Sequence, residues 1–285
     1  MSAVRTLLAR IVDYAGLFPP AGLDMESAMR NYRDALAAEN GWMLGTFVVP
    51  APRLAVFAQM FERVCCGERE SPWPLSVVCA GEARAAEEFE EGAVFLRSLE
   101  AKAADRASAE AVLTSLPKAG ACYVEFPPGK AAEVLPVLAR HGARAKLRTG
   151  GLTVDAIPSV ETVAGFLLAC AAQRVPFKAT AGLHHPVRGL HLLAPDGAAR
   201  ATMHGFVNLF LAAALAWFGV AEPALRRTLE EEDATAFRVD DDLLRWHEHA
   251  MTADQLELAR RDFEISFGSC SFVEPVDDLR AMGWL

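Results

Sequence analysis

The chain predicts an α/β fold, a TIM-like (β/α)8 barrel with an N-terminal helical extension over residues 1–41, and residues 1–285 are expected to form a single domain. Three observations lead there. Short apolar strand candidates alternate with amphipathic helical patterns, and eight such strands can be counted. The strands are apolar on both faces, as in parallel sheets covered by helices. No G-x-G-x-x-G or P-loop follows the first strand, which separates the chain from an open dinucleotide-binding sheet.

The elements follow in order. Residues 1–22 read as a short helix closed by Pro19-Pro20, with Asp13, Tyr14 and Phe18 packing as a plug on the barrel. Asp24 caps a helix whose Met25, Ala28, Met29, Tyr32 and Leu36 share one face. Trp42–Pro50 is the first predicted strand, followed by a helix carrying Leu54, Phe57, Phe61 and Val64. Pro74–Cys79 is the second, with an acidic helix through Glu91 after it. Val94–Lys102 is the third, and a helix over Ser108–Leu116 comes next. Ala121–Phe126 is the fourth, leading to a helix that ends at His141-Gly142, where glycine supplies the left-handed cap.

Arg144–Thr149 is the fifth strand, and Ser159 caps the helix behind it. The sixth is Val175-Pro176-Phe177-Lys178-Ala179-Thr180, broken at Gly182. A long loop, His184–Arg200, precedes an apolar helix, and Glu222-Pro223 starts another. Ala234–Val239 is a weak seventh strand and Asp240–His249 a helix, which places His247 and His249 at a surface. Thr252 with Gln255 forms a capping box. Glu264–Phe267 is the eighth strand, and Pro275 begins a last helix stopped by Gly283.

A hydrophobic fraction of 52% allows a large core, and a net charge of -9 argues against nucleic acid as a partner. The six cysteines form no C-x-x-C pair and read as reduced thiols of a cytoplasmic protein. The N-terminus carries no signal-peptide pattern. Phe206–Val220 is too short for a comfortable membrane span of about 20 residues and is expected to be a core helix, so no membrane partner is expected. Self-association through that apolar helix stays open.

Barrel enzymes place their chemistry at the C-terminal ends of strands. That rule collects Glu100 and Lys102, Glu125, Lys146 and Arg148, Lys178, Thr180, His184 and His185, and the turn Gly268-Ser269-Cys270-Ser271. Lys178, Lys146, Glu125 and His185 are the catalytic candidates. Arg148, Thr180, His184, Glu100, Gly268, Ser269 and Ser271 are the candidates for binding substrate or an anion. Arg148 is followed by Gly150-Gly151, which would let backbone N–H groups approach an anion. So many cations facing two glutamates call for an anionic ligand to complete the balance.

Phe177-Lys178-Ala179-Thr180-Ala181-Gly182 resembles the lysine strand of class I, Schiff-base aldolase barrels such as the deoxyribose-phosphate aldolases. The resemblance is confined to the residues around Lys178, and the histidines after Gly182 depart from the family pattern. It implies Lys178 as a nucleophile toward a carbonyl, Lys146 as the second lysine, and an acid assigned to Glu125. A nucleophilic amine must be neutral, which burial and a nearby Lys146 would favour. Direct pairing of Lys178 with Glu100 or Glu125 would instead keep it charged.

Three functional classes therefore stand after the sequence is read. The first is lyase or isomerase chemistry through a strand-end lysine on a small anionic carbonyl substrate. The second is a metal-dependent hydrolase or isomerase with His184 or His185 and Glu125 or Glu100 as ligands. The third is a non-catalytic barrel that binds a metabolite or a partner. The first reading needs no cofactor; the second needs a divalent metal.

Overall fold

The computed structural model of the chain describes residues 2–65, 72–80, 94–194 and 197–285. The helix expected through Glu91 lies outside these residues. Helix α1 (Ala3–Leu8) is capped by Ser2 and leads directly into β1 (Val12–Tyr14). Then come α2 (Met25–Ala37), β2 (Leu44–Pro50), α3 (Leu54–Val64), β3 (Trp73–Val78) and β4 (Val94–Lys102). Helix α4 (Arg106–Ser115), with its Asp105–Ser108 capping box, precedes β5 (Ala121–Glu125). Next are α5 (Ala131–His141), β6 (Arg144–Arg148), α6 (Val160–Ala172) and β7 (Phe177–Thr180). Gly142 ends α5 at φ 65°, the left-handed cap read from the sequence.

Between β7 and the last barrel strand lie β8 (Gly189–Leu192), β9 (Arg200–Met203), α7 (Phe206–Trp217), α8 (Glu222–Glu230), β10 (Phe237–Val239), β11 (Leu243–Trp246), β12 (His249–Thr252) and α9 (Ala253–Asp262). Strand β13 (Glu264–Ser269) then returns to the barrel, and α10 (Val273–Ala281) follows it. Eight parallel strands close in the order β1-β13-β7-β6-β5-β4-β3-β2. This is the predicted (β/α)8 barrel with a helix at its N-terminus.

One of the eight barrel strands was not expected, and one expected strand lies outside the barrel. The first barrel strand is β1, inside the segment read as helix and plug. It pairs with β13 through Asp13 and Gly268 and with β2 through Val12 and Leu44. With three residues it is too short to show a two-residue period, which is why it was missed. The predicted seventh strand is not in the barrel. Ala234–Ala236 forms a 3-10 turn and Phe237–Val239 pairs antiparallel with β11. The helix expected over Asp240–His249 is a hairpin. Asp240 Oδ1 accepts from Leu243 N at 2.9 Å, turning the chain, and Leu244 and Trp246 then alternate into the core. His247 sits in the hairpin turn at φ 48°.

Helix α7 is a core element, buried from Phe206 to Ala216. Its one polar interruption is fully used. Asn208 Nδ2 donates to Thr228 O and Glu231 O, each at 2.8 Å, and Oδ1 accepts from Arg188 N at 2.9 Å. A second apolar stretch, Val154–Ala172, has the length of a membrane span. Pro158 and the Ser159 cap break it, however, so α6 has 13 residues, short of the ~20 a span requires.

Candidate active site

Alternation along a strand puts residues two apart on one face. Glu100 and Lys102 on β4, Lys146 and Arg148 on β6, and Lys178 and Thr180 on β7 are such pairs. Together with Glu125 from β5 and Gly268 from β13 they line a cavity of about 310 Å3 at the C-terminal end of the barrel. Glu125, Lys146 and Lys178 are register partners across β5, β6 and β7. Gly150 and Gly182 bring the ends of β6 and β7 together. A Cβ on Gly150 would lie 2.8 Å from the Gly182 Cα, and Gly182 itself has φ +76°. Gly150 is thus explained by strand contact, not by an anion.

The charges form one chain of contacts. Lys178 Nζ donates to Asp13 Oδ2 at 2.5 Å and to Glu100 Oε1 at 2.7 Å. Lys146 Nζ lies 2.6 Å from Glu100 Oε2 and 3.3 Å from Glu125 Oε2. Arg148 Nε donates to Glu125 Oε1 at 2.8 Å, with Lys102 Nζ 3.8 Å from the same oxygen. Hydroxyls complete the deep acids. Ser76 Oγ donates to Glu100 at 2.5 Å, and Ser266 Oγ donates to Asp13 at 2.6 Å. Glu125 Oε2 is the exception, since it is buried and accepts no hydrogen bond in spite of its ionic contact with Lys146.

Burial works against the charges of Glu100, Glu125 and Lys178, but their neighbours outweigh it. Burial would raise the Glu100 carboxyl, yet Lys146 and Lys178 hold it below the ordinary carboxylate range. Glu125 is likewise lowered against its burial, by Lys146 and then Arg148. Burial would push the Lys178 ammonium toward neutrality, but Asp13 and Glu100 raise its pKa instead. Lys178 is therefore a charged, paired ammonium. The neutral resting amine of the Schiff-base reading is not what this geometry holds, because two carboxylates contact Lys178 directly.

The other expected site residues divide clearly. His184 lines the cavity, with Nδ1 3.0 Å from Glu274 on α10. His185 does not: its Nδ1 meets Asp278 at 2.6 Å and its ring stacks on His191 at 3.5 Å. Ser269 and Ser271 serve the turn into α10. Ser269 Oγ accepts from Ser271 N at 3.3 Å, and Ser271 Oγ accepts from Glu274 N at 3.3 Å. Cys270 from this turn lines the cavity. The residues of the metal reading are held apart: both histidines meet α10 carboxylates through Nδ1, and Glu125 meets Lys146 and Arg148. Among the described residues no group of three or more His, Cys, Asp or Glu side chains is placed to hold a metal ion.

Asp13 is the functional residue that sequence reasoning missed. A lone acid between Val12 and Tyr14 was the available signal, and both neighbours are buried core residues. Its presence also corrects the charge balance. Lys102, Lys146, Arg148 and Lys178 face Asp13, Glu100 and Glu125, which is four cations against three acids. One positive charge remains, at the mouth, where the side chains of Lys102 and Arg148 are 70% and 43% exposed. Comparison of the chain with protein-family models, with curated proteins and with solved structures returned no significant match.

Proposed function

We propose that the barrel is a lyase or isomerase that removes a proton next to the carbonyl of a small anionic substrate. The observation that carries this reading is Glu125, which lines the cavity and whose buried Oε2 accepts no hydrogen bond. A carboxylate with an unused lone pair can accept a proton, and the cations beside it keep it ionised while lowering its basicity. Lys146, 3.3 Å from that oxygen, stands ready to stabilise the enolate oxygen that forms. Lys178 and Glu100 fix Lys146 in place, since Glu100 bridges the two ammonium groups. Arg148 and Lys102 supply the unmatched charge for the substrate's carboxylate or phosphate at the mouth. Phe18, Val48, Leu152, Leu193 and Met203 form the apolar part of the wall. In this reading Lys178 acts as a charge and not as a nucleophile.

The test is exchange of the protons next to the carbonyl in deuterated buffer, read by mass spectrometry on a panel of 2-keto acids and keto phosphates. The wild-type protein exchanges at least one of them. Glu125→Gln lowers that exchange by about 100-fold or more. Arg148→Lys raises the substrate concentration needed, since a point charge does not reproduce the planar fork. Borohydride added during exchange leaves the Lys178 peptide unmodified. An adduct on that peptide returns Lys178 to the nucleophile role, and exchange that survives Glu125→Gln ends the role of Glu125.

A further inference from the structure

The opposite end of the barrel holds a second cavity, of about 330 Å3, lined by residues at the starts of the strands. Its charges are arranged unlike those of the upper cavity. Arg10, Arg97 and Arg144 all line it, and Asp13 is the one other charged side chain in its wall among the described residues. Asp13 is already matched by Lys178 at 2.5 Å. No described carboxylate pairs with any of the three arginines. Arg144 donates only to the Tyr123 hydroxyl, at 2.9 Å.

Two buried polar atoms in the same wall have no hydrogen-bond partner among the described residues, Trp73 Nε1 and Thr46 Oγ1. Trp73 is 1% exposed and Thr46 8%. An indole N–H can only donate, and leaving it unpaired in the interior costs free energy. Orphaned donors and uncompensated guanidinium groups together ask for acceptor oxygens carrying negative charge.

From these features we infer that the lower cavity is a binding site for a small aromatic carboxylate. The carboxylate takes the arginines and the indole N–H, and the flat body lies among Trp42, Trp73 and Tyr123. The volume is that of a small-molecule site. Barrels perform chemistry at the other end, so this site binds and does not catalyse. It stands independently of the proposed reaction. Through Asp13, which lines this cavity and holds Lys178, a bound ligand has a physical link to the upper cavity.

The experiment is calorimetric titration of the full chain with 2-naphthoate, its neutral analogue 2-naphthamide, and inorganic phosphate. The carboxylate binds with a dissociation constant of about 1 mM or tighter. Both controls bind at least about tenfold more weakly, as each lacks either the charge or the ring. Arg97→Ala, at an exposed residue that leaves the fold intact, weakens 2-naphthoate about tenfold. Trp73→Phe keeps a ring but removes the N–H, and weakens it severalfold. Arg148→Ala, in the upper cavity, leaves the affinity unchanged. The inference is overturned by no binding, by equal binding of the amide, or by binding that Arg148→Ala abolishes and Arg97→Ala leaves intact.

Discussion

The two ends of the barrel use the same strands to opposite effect. At the C-terminal end, cations and acids alternate in contact from Asp13 through Lys178, Glu100, Lys146 and Glu125 to Arg148. At the N-terminal end, three arginines line a cavity of similar size with no carboxylate of their own among the described residues. The upper end is thus held together by its own charges, with a single positive charge left over at its mouth. The lower end is incomplete in its charges and in two of its hydrogen bonds. Charge in a cavity has two meanings, and partner distances separate them.

The sharpest way to break this contrast is Lys178→Met. It removes the cation shared by Asp13 and Glu100 and leaves a buried carboxylate uncompensated. Unfolding by urea is expected to show a loss of about 3–5 kcal/mol. Arg97→Ala at the other end is expected to change stability by no more than about 0.5 kcal/mol, since that side chain is exposed and meets no carboxylate among the described residues. Equal effects at the two ends would mean that the upper network does not hold the barrel together.

A smaller effect is expected from acid. Glu100 and Glu125 have folded pKa values below the ordinary 4.5, so each stabilises the fold above that value. This contribution declines as pH falls below 4.5 and is lost as pH passes through the lowered folded values. Urea midpoints measured from about pH 7 down to about pH 3 follow this decline, and Glu100→Gln flattens it. A Glu100→Gln variant with the wild-type acid limb would show that the network is not its source.

The smallest effect sharpens the comparison from the lower end. Thr46 Oγ1 has no hydrogen-bond partner among the described residues, so Thr46→Val removes a buried hydroxyl without breaking a described hydrogen bond. Stability is expected to stay within about 0.5 kcal/mol or to rise. A loss well above 1 kcal/mol, measured by urea unfolding, would show that the hydroxyl is paired in solution and that the lower end is more complete than it looks.

The sequence by itself determined the barrel class, seven of its eight strands, and the strand-end polar set on β4 to β7. Those follow from local patterns: apolar runs bounded by turns, and polar residues two apart at strand ends. Tertiary structure decided the rest. Val12–Tyr14 is a strand because β13 and β2 offer edges on both sides of it, which three residues of sequence cannot show. Phe237–Val239 fails to enter the barrel because its partner is the nearby hairpin strand Leu243–Trp246. Above all, the state of Lys178 depends on residues 165 and 78 positions away in the chain. Burial alone would push it toward neutrality. Two carboxylates brought there by the closing of the barrel keep it charged, because ionic contact at hydrogen-bond distance outweighs the cost of desolvation.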